Sequence, residues 1–231
     1  MFFQALPVGA LAIFKQRLLH RLKELAEEAG QERFVMPVGL ILVIDEQNGG
    51  DTTAKELVAR FGLLDFESLD LIDFYFLGWH RTEKGAPASI AFDLSAFHDF
   101  RTALQKKGIT KFGGNADLIL VDAHYAPGDI RLNFEEAIRI DLSVSSEEKD
   151  FTTLGGFLQS LIEAAREVRH DEGLKEDASL VFTISDKLGL AIAKQSLLTV
   201  FLEKFGKVIG AKKMATLAVR NLGPSVSLKE L

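Results

Sequence analysis

Apolar positions recurring at spacings of three and four open the chain. Leu11, Phe14, Leu18, Leu22, Leu25 and Ala29 fall on one face of a helix running from Val8 to Ala29, with Gly30 as its stop. Arg17, Arg21, Glu24, Glu27 and Glu28 lie largely outside that stripe. The pattern then changes. Phe34 to Asp45 reads as a long strand whose centre, Val38 to Ile44, is apolar on both sides, as in a central strand covered by helices on both faces. Pro37 has no N–H to give a ladder, so pairing is expected to begin after it. A loop from Asp45 to Asp51 leads to a short helix with a capping box at Thr53 and Glu56, ending near Gly62.

Strict alternation returns at Leu71 to Leu77, with Ile72, Phe74 and Phe76 on one face and Leu71, Asp73, Tyr75 and Leu77 on the other. An exposed turn at His80 to Gly85 precedes a short strand over Ser89 to Phe92. Ser95 then caps a helix carrying Phe97, Phe100 and Leu104, which Lys106, Lys107 and Gly108 close. Asp117 to Asp122 is a strand, and Ala126 to Asp129 is a turn. From Ile130 to Leu142 two apolar series are separated by Glu135-Glu136, where a bulge or second turn is expected. Phe151 to Val168 has helical spacing, and Leu180 to Ile184 reads as a last short strand. Ser185 or Asp186 caps a long apolar helix to about Ile209, a shorter helix covers Lys212 to Arg220, and the tail after Asn221 is irregular. This order gives an α/β (or α+β) fold. Residues 1–231 form a single domain with a twisted mixed β-sheet covered by helices, and the N-terminal helix at 8–29 has room to be peripheral.

Composition narrows the classes. A chain of 231 residues, 47% apolar and 26% charged, can bury a core without disulfides or metals. Eighteen Phe against two Tyr and one Trp point to packing, because Phe carries no polar atom that needs a partner. The formal net charge of -6 gives no general attraction to phosphate backbones, so nucleic acid is disfavoured as a partner. The absence of Cys removes thiolate metal sites, iron–sulfur ligation and thiol nucleophiles, and fits a cytoplasmic location. The apolar start precedes Lys15 and Arg17 instead of following basic residues, so no secretion signal is expected. Integral membrane association is not expected either, since no run of about 20 apolar residues occurs.

The chemistry-bearing candidates are acids at strand ends. Asp45, Asp73 and Asp122, if neighbouring strands bring them together, supply oxygen ligands for Mg²⁺ and so for hydrolysis or phosphotransfer. His124, two residues beyond Asp122, is placed to act as a base with Asp122, and Asp129 is its candidate partner across the turn. Gly49 and Gly50 lie between a strand and a helix, where backbone amides can cradle an anion, although the P-loop lysine and spacing are missing. Acids past strands are also ordinary caps and turn formers. Surplus apolar helical surface, on the N-terminal helix around Leu18 and Leu22 or on Leu188 to Ile209, calls for a protein partner or a homo-oligomer. The resulting expectation is an intracellular protein-interaction or regulatory domain that can self-associate; the alternative is a cation-assisted hydrolase or phosphotransfer enzyme.

Overall fold

A computed structural model describes residues 5–8, 10–50, 53–59, 71–82, 89–109, 116–142, 154–170, 179–188 and 218–231. Strand β1 (Ala5–Val8) leads into α1 (Leu11–Glu28), β2 (Phe34–Val43), a 3-10 turn at Glu46–Asn48, α2 (Thr53–Ala59) and β3 (Asp73–Leu77). The antiparallel pair β4 (Trp79–Thr82) and β5 (Ser89–Phe92) follows, then α3 (Leu94–Lys106), β6 (Ala116–Ala126), β7 (Asp129–Asp141) and α4 (Leu154–His170). Residues 180–188 form a further helix, α5, and the chain closes with β8 (Ala218–Arg220) and β9 (Ser225–Ser227).

The main sheet has the order β1-β3-β2-β6-β7-β8, with β9 also pairing β7. β1, β3 and β2 run parallel, and β6, β7, β8 and β9 continue antiparallel. The apolar run of β2 therefore lies at the centre, as its two-sided burial requires. Gly39 in this strand lets Phe74 approach, since a Cβ there would stand 2.4 Å from the Phe74 ring. The connection from β1 to β2 passes over one face through α1, and that from β2 back to β3 passes over the other through α2. Both crossovers thus have one hand, as parallel connections do.

Two apolar layers sandwich this sheet. On one face Phe14, Leu18 and Leu22 of α1 and Phe97, Phe100 and Leu104 of α3 pack on Leu40, Leu42, Tyr75 and Ile119. On the other, Leu57 of α2, Phe157, Leu161 and Val168 of α4, and Val181, Ile184 and Leu188 of α5 cover Ile41, Val43, Phe74, Phe76 and Leu118. Each such side chain contributes roughly 1.5–3 kcal/mol when fully buried, so every helix is held chiefly by its stripe. Among the described residues no helix is long and apolar enough to cross a membrane.

Several elements depart from the sequence reading. α1 begins at Leu11, and Ala5–Val8 ahead of it form strand β1 at the sheet edge. Its stripe is no free interface: Leu18 and Leu22 are both 0% exposed, so α1 is an integral layer and not peripheral. Asp93, not Ser95, caps α3, its carboxylate accepting the Ala96 N–H at 3.0 Å. β2 pairs β6 from Phe34 onward, but its ladder to β3 starts only at Val38, immediately after Pro37. Residues 180–184 are helical, not a strand, and Ala218–Arg220 is a strand where a helix was expected. The break in β7 is present: Leu120 pairs Ile138 while Asp122 pairs Asn133, so the chain bows out between them. The C-terminal segment fills that bow, with Leu222 N–H donating to the Phe134 carbonyl at 3.0 Å and Asn221 N–H to that of Ala137 at 3.1 Å. Ser185 and Asp186, expected to cap a long helix to about Ile209, lie inside the helix that starts at residue 180, and the expected helix beyond Leu188 lies outside the described residues.

Candidate binding site

Because β3 begins opposite Val38, the first four residues of β2 project past it and keep one edge clear of that neighbour. A cavity of about 180 Å³ lies there. Its walls are residues 34–37 of β2, Leu71 ahead of β3, Ala165 and Val168 near the end of α4, and Leu180 and Ile184 of α5, with Arg169 also among the lining. Nearly every wall is hydrocarbon, so water gains few hydrogen bonds inside it; an apolar cavity of about 150 Å³ is already enough to take up a benzene ring.

The α5 wall is fixed by Asp122. This carboxylate stands opposite Pro37 on β6 and is only 1% exposed. It accepts the Ser179 hydroxyl at 2.7 Å, and the Val181 N–H at 3.2 and 3.3 Å from its two oxygens. Ser179 is also the local cap, since its hydroxyl accepts the Phe182 N–H at 3.1 Å and its carbonyl accepts the Thr183 N–H at 3.2 Å. The first turn of a helix has N–H groups without intrahelical partners and a partial positive charge, and a carboxylate from another element satisfies both. Burial pushes the Asp122 carboxyl above its ordinary value, an effect that the Ser179 and Val181 hydrogen bonds and the charge of His124 reduce, and that Glu136 reinforces.

Comparison of the chain with models of known families, with curated proteins and with solved structures finds no match. The site therefore rests on its own geometry.

The three acids read as a shared cation site are not brought together. β2 and β6 are antiparallel, so Asp122 sits level with Pro37 at the start of β2 while Asp45 follows its far end. At a strand rise of about 3.3 Å per residue the two are roughly 25 Å apart. Asp73 is near the same end as Asp122 but on the opposite face, with Tyr75 and α1, where its carboxylate lies 3.4 Å from the Arg21 Nε and 3.4 Å from the Tyr75 hydroxyl that donates to it. Burial first, then the Asp73 charge, push the Tyr75 hydroxyl well above its ordinary value. Among the described residues no group of three His, Asp or Glu side chains is arranged to hold a metal ion.

His124 is exposed on the sheet opposite Val35 and Arg131, while Asp129 accepts the Ser227 hydroxyl at 2.5 Å and lies 4.0 Å from Arg131. Gly49 N–H donates to the Glu46 carbonyl and Gly50 N–H to that of Asp45, so the turn uses both amides that were read as an anion cradle. Gly49 has φ 91, and a Cβ on Gly50 would collide with the Ile44 carbonyl, which explains the pair as turn geometry. Trp79 is held in the core, its indole N–H donating to the Val43 carbonyl at 3.0 Å and its ring tilted onto Phe92. Two features escaped sequence reasoning. One is the ionic group Asp117–Arg139–Asp141, in which Arg139 of β7 lies 3.1 Å from Asp117 across on β6 and 3.7 Å from Asp141 on its own strand. The other is the Ser179 cap, for which the local signal was Val181, Ile184 and Leu188 at helical spacing.

Proposed function

We propose that the chain is a regulatory domain that works by binding, and that its ligand is a small apolar molecule of about one aromatic ring system. The observation that supports this is the apolar cavity between the clear edge of β2 and the helices α4 and α5. Its volume fits a ring, and its walls come from elements anchored in the core, with Ala165 and Val168 of α4 and Ile184 of α5 shared between the cavity and the layer beneath the helices. Ligand occupancy would then be reported at the protein surface through those two helices.

Titration of the ¹⁵N-labelled protein with indole tests it. Saturable amide shifts are expected at Val35, Val168 and Ile184, and Ala165→Phe, which places a ring inside the cavity, should abolish them while the rest of the spectrum stays native. Absence of saturable shifts at those residues, or shifts that survive Ala165→Phe unchanged, would overturn the reading.

A further inference from the structure

We infer that Asp122 is a positioning residue for the cavity: from outside the lining, it sets ligand affinity by holding α5 in place. The inference rests on the binding role proposed above. Leu180 and Ile184 are the α5 contribution to the walls, and both lie within the first two turns of that helix. Val181, the residue between them whose N–H reaches Asp122, is itself buried in the apolar layer with Ile184 and Leu188. The hydrogen bonds from Ser179 and Val181 join this first turn to β6 across 57 and 59 positions of chain, so Asp122 ties the turn to the sheet directly beside Pro37. Without it, α5 keeps its stripe of Val181, Ile184 and Leu188 in the core but loses the polar contact that fixes its height and rotation over the sheet. A cavity wall made by two side chains of that turn cannot stay in register when the turn shifts.

Two charged neighbours matter to this contact, His124 from β6 and Glu136 from β7, and Asn133, whose amide donates to Glu136 at 2.9 Å, is the residue paired with Asp122 on β7. None of these replaces the carboxylate on the α5 amides. Asn at position 122 does, since its amide oxygen accepts from Val181 and its NH₂ donates to the Ser179 hydroxyl.

The test uses the whole chain and indole as probe. Asp122→Ala should raise the indole Kd about tenfold and remove hydrogen-exchange protection over residues 181–184, with protection of β2 and β6 retained; Asp122→Asn should restore both. If Asp122→Ala does not fold, Ser179→Ala, which removes one of the two donors to Asp122 together with the cap on the Phe182 N–H, should give the same changes. Loss of α5 protection with an unchanged indole Kd would overturn the inference and leave the binding reading intact. Unchanged protection over 181–184 in either variant would also overturn it. No indole binding to the unaltered protein would overturn the binding reading, and this inference with it.

Discussion

A carboxylate with 1% exposure has lost nearly all its hydration, and at Asp122 the loss is only partly offset by the Ser179 hydroxyl and the Val181 amide. Burial is the largest influence and raises its pKa above the ordinary 3.8. The sign of the consequence follows from proton linkage. The folded protein holds this proton more tightly than the unfolded chain, so between 3.8 and the raised folded value, stability from this group falls as pH rises, and above that window it is constant. Asp122→Asn cannot ionise; it still accepts from Val181 and joins Ser179 with the donor and acceptor exchanged. Its Tm relative to the unaltered protein should therefore climb as pH rises through the window and then level off. Thermal melts of both proteins from pH 3.5 upward measure this, and a relative Tm that falls across the window would contradict the assignment.

Among the elements, α1 shows how far a stripe can be read and where the reading stops. The three- and four-residue spacing of Phe14, Leu18, Leu22 and Leu25 marks a buried face, and that face is buried. What covers it is a matter of the sheet, because β2, β3 and α3 supply the surface that a second protein was expected to supply. Leu22→Glu should accordingly destabilise by about 3–5 kcal/mol, since a carboxylate would enter an apolar layer without a partner, and should leave the mass of the remaining folded protein unchanged. Chemical denaturation together with light scattering checks both. A variant of native stability whose mass alone has changed would restore α1 as an interface. α5 illustrates the reverse error. Leu180 to Ile184 is rich in β-branched and aromatic residues and reads as strand, yet Ser179 caps it as a helix and the sheet it was expected to join runs through β6 and β7 instead.

For the whole molecule, strand direction decides what the acids can do. A parallel β2–β6 pair would have gathered Asp45 and Asp122 at one end of the sheet; the antiparallel register separates them by most of the length of β2. Calorimetric titration with Mg²⁺ should therefore reveal no site that Asp45→Asn and Asp122→Asn each abolish. One site lost in both variants would contradict the register. The register of β2 with β3 sets the cavity, because β3 begins only opposite Val38 and leaves that edge of the start of β2 to α4 and α5.

Local conformations that side-chain geometry imposes within one or two turns were legible in the amino-acid order. These are the buried stripe of α1, the two-sided run of β2, the alternation of β3, the glycine-closed end of α3 at Gly108 with φ 83, and the interruption of β7 at Glu135-Glu136. Each depends on residues a few positions apart, whose spacing is fixed by 3.6 residues per turn or two per pleat. Which strands are neighbours, and in which direction they run, was set by the assembled sheet. It made strands of the short segments Ala5–Val8, Ala218–Arg220 and Ser225–Ser227, and it joined Asp122 to an α5 cap 57 residues away. Those outcomes depend on hydrogen bonds and apolar surface supplied by distant chain, and no local period encodes the distant partner that supplies them.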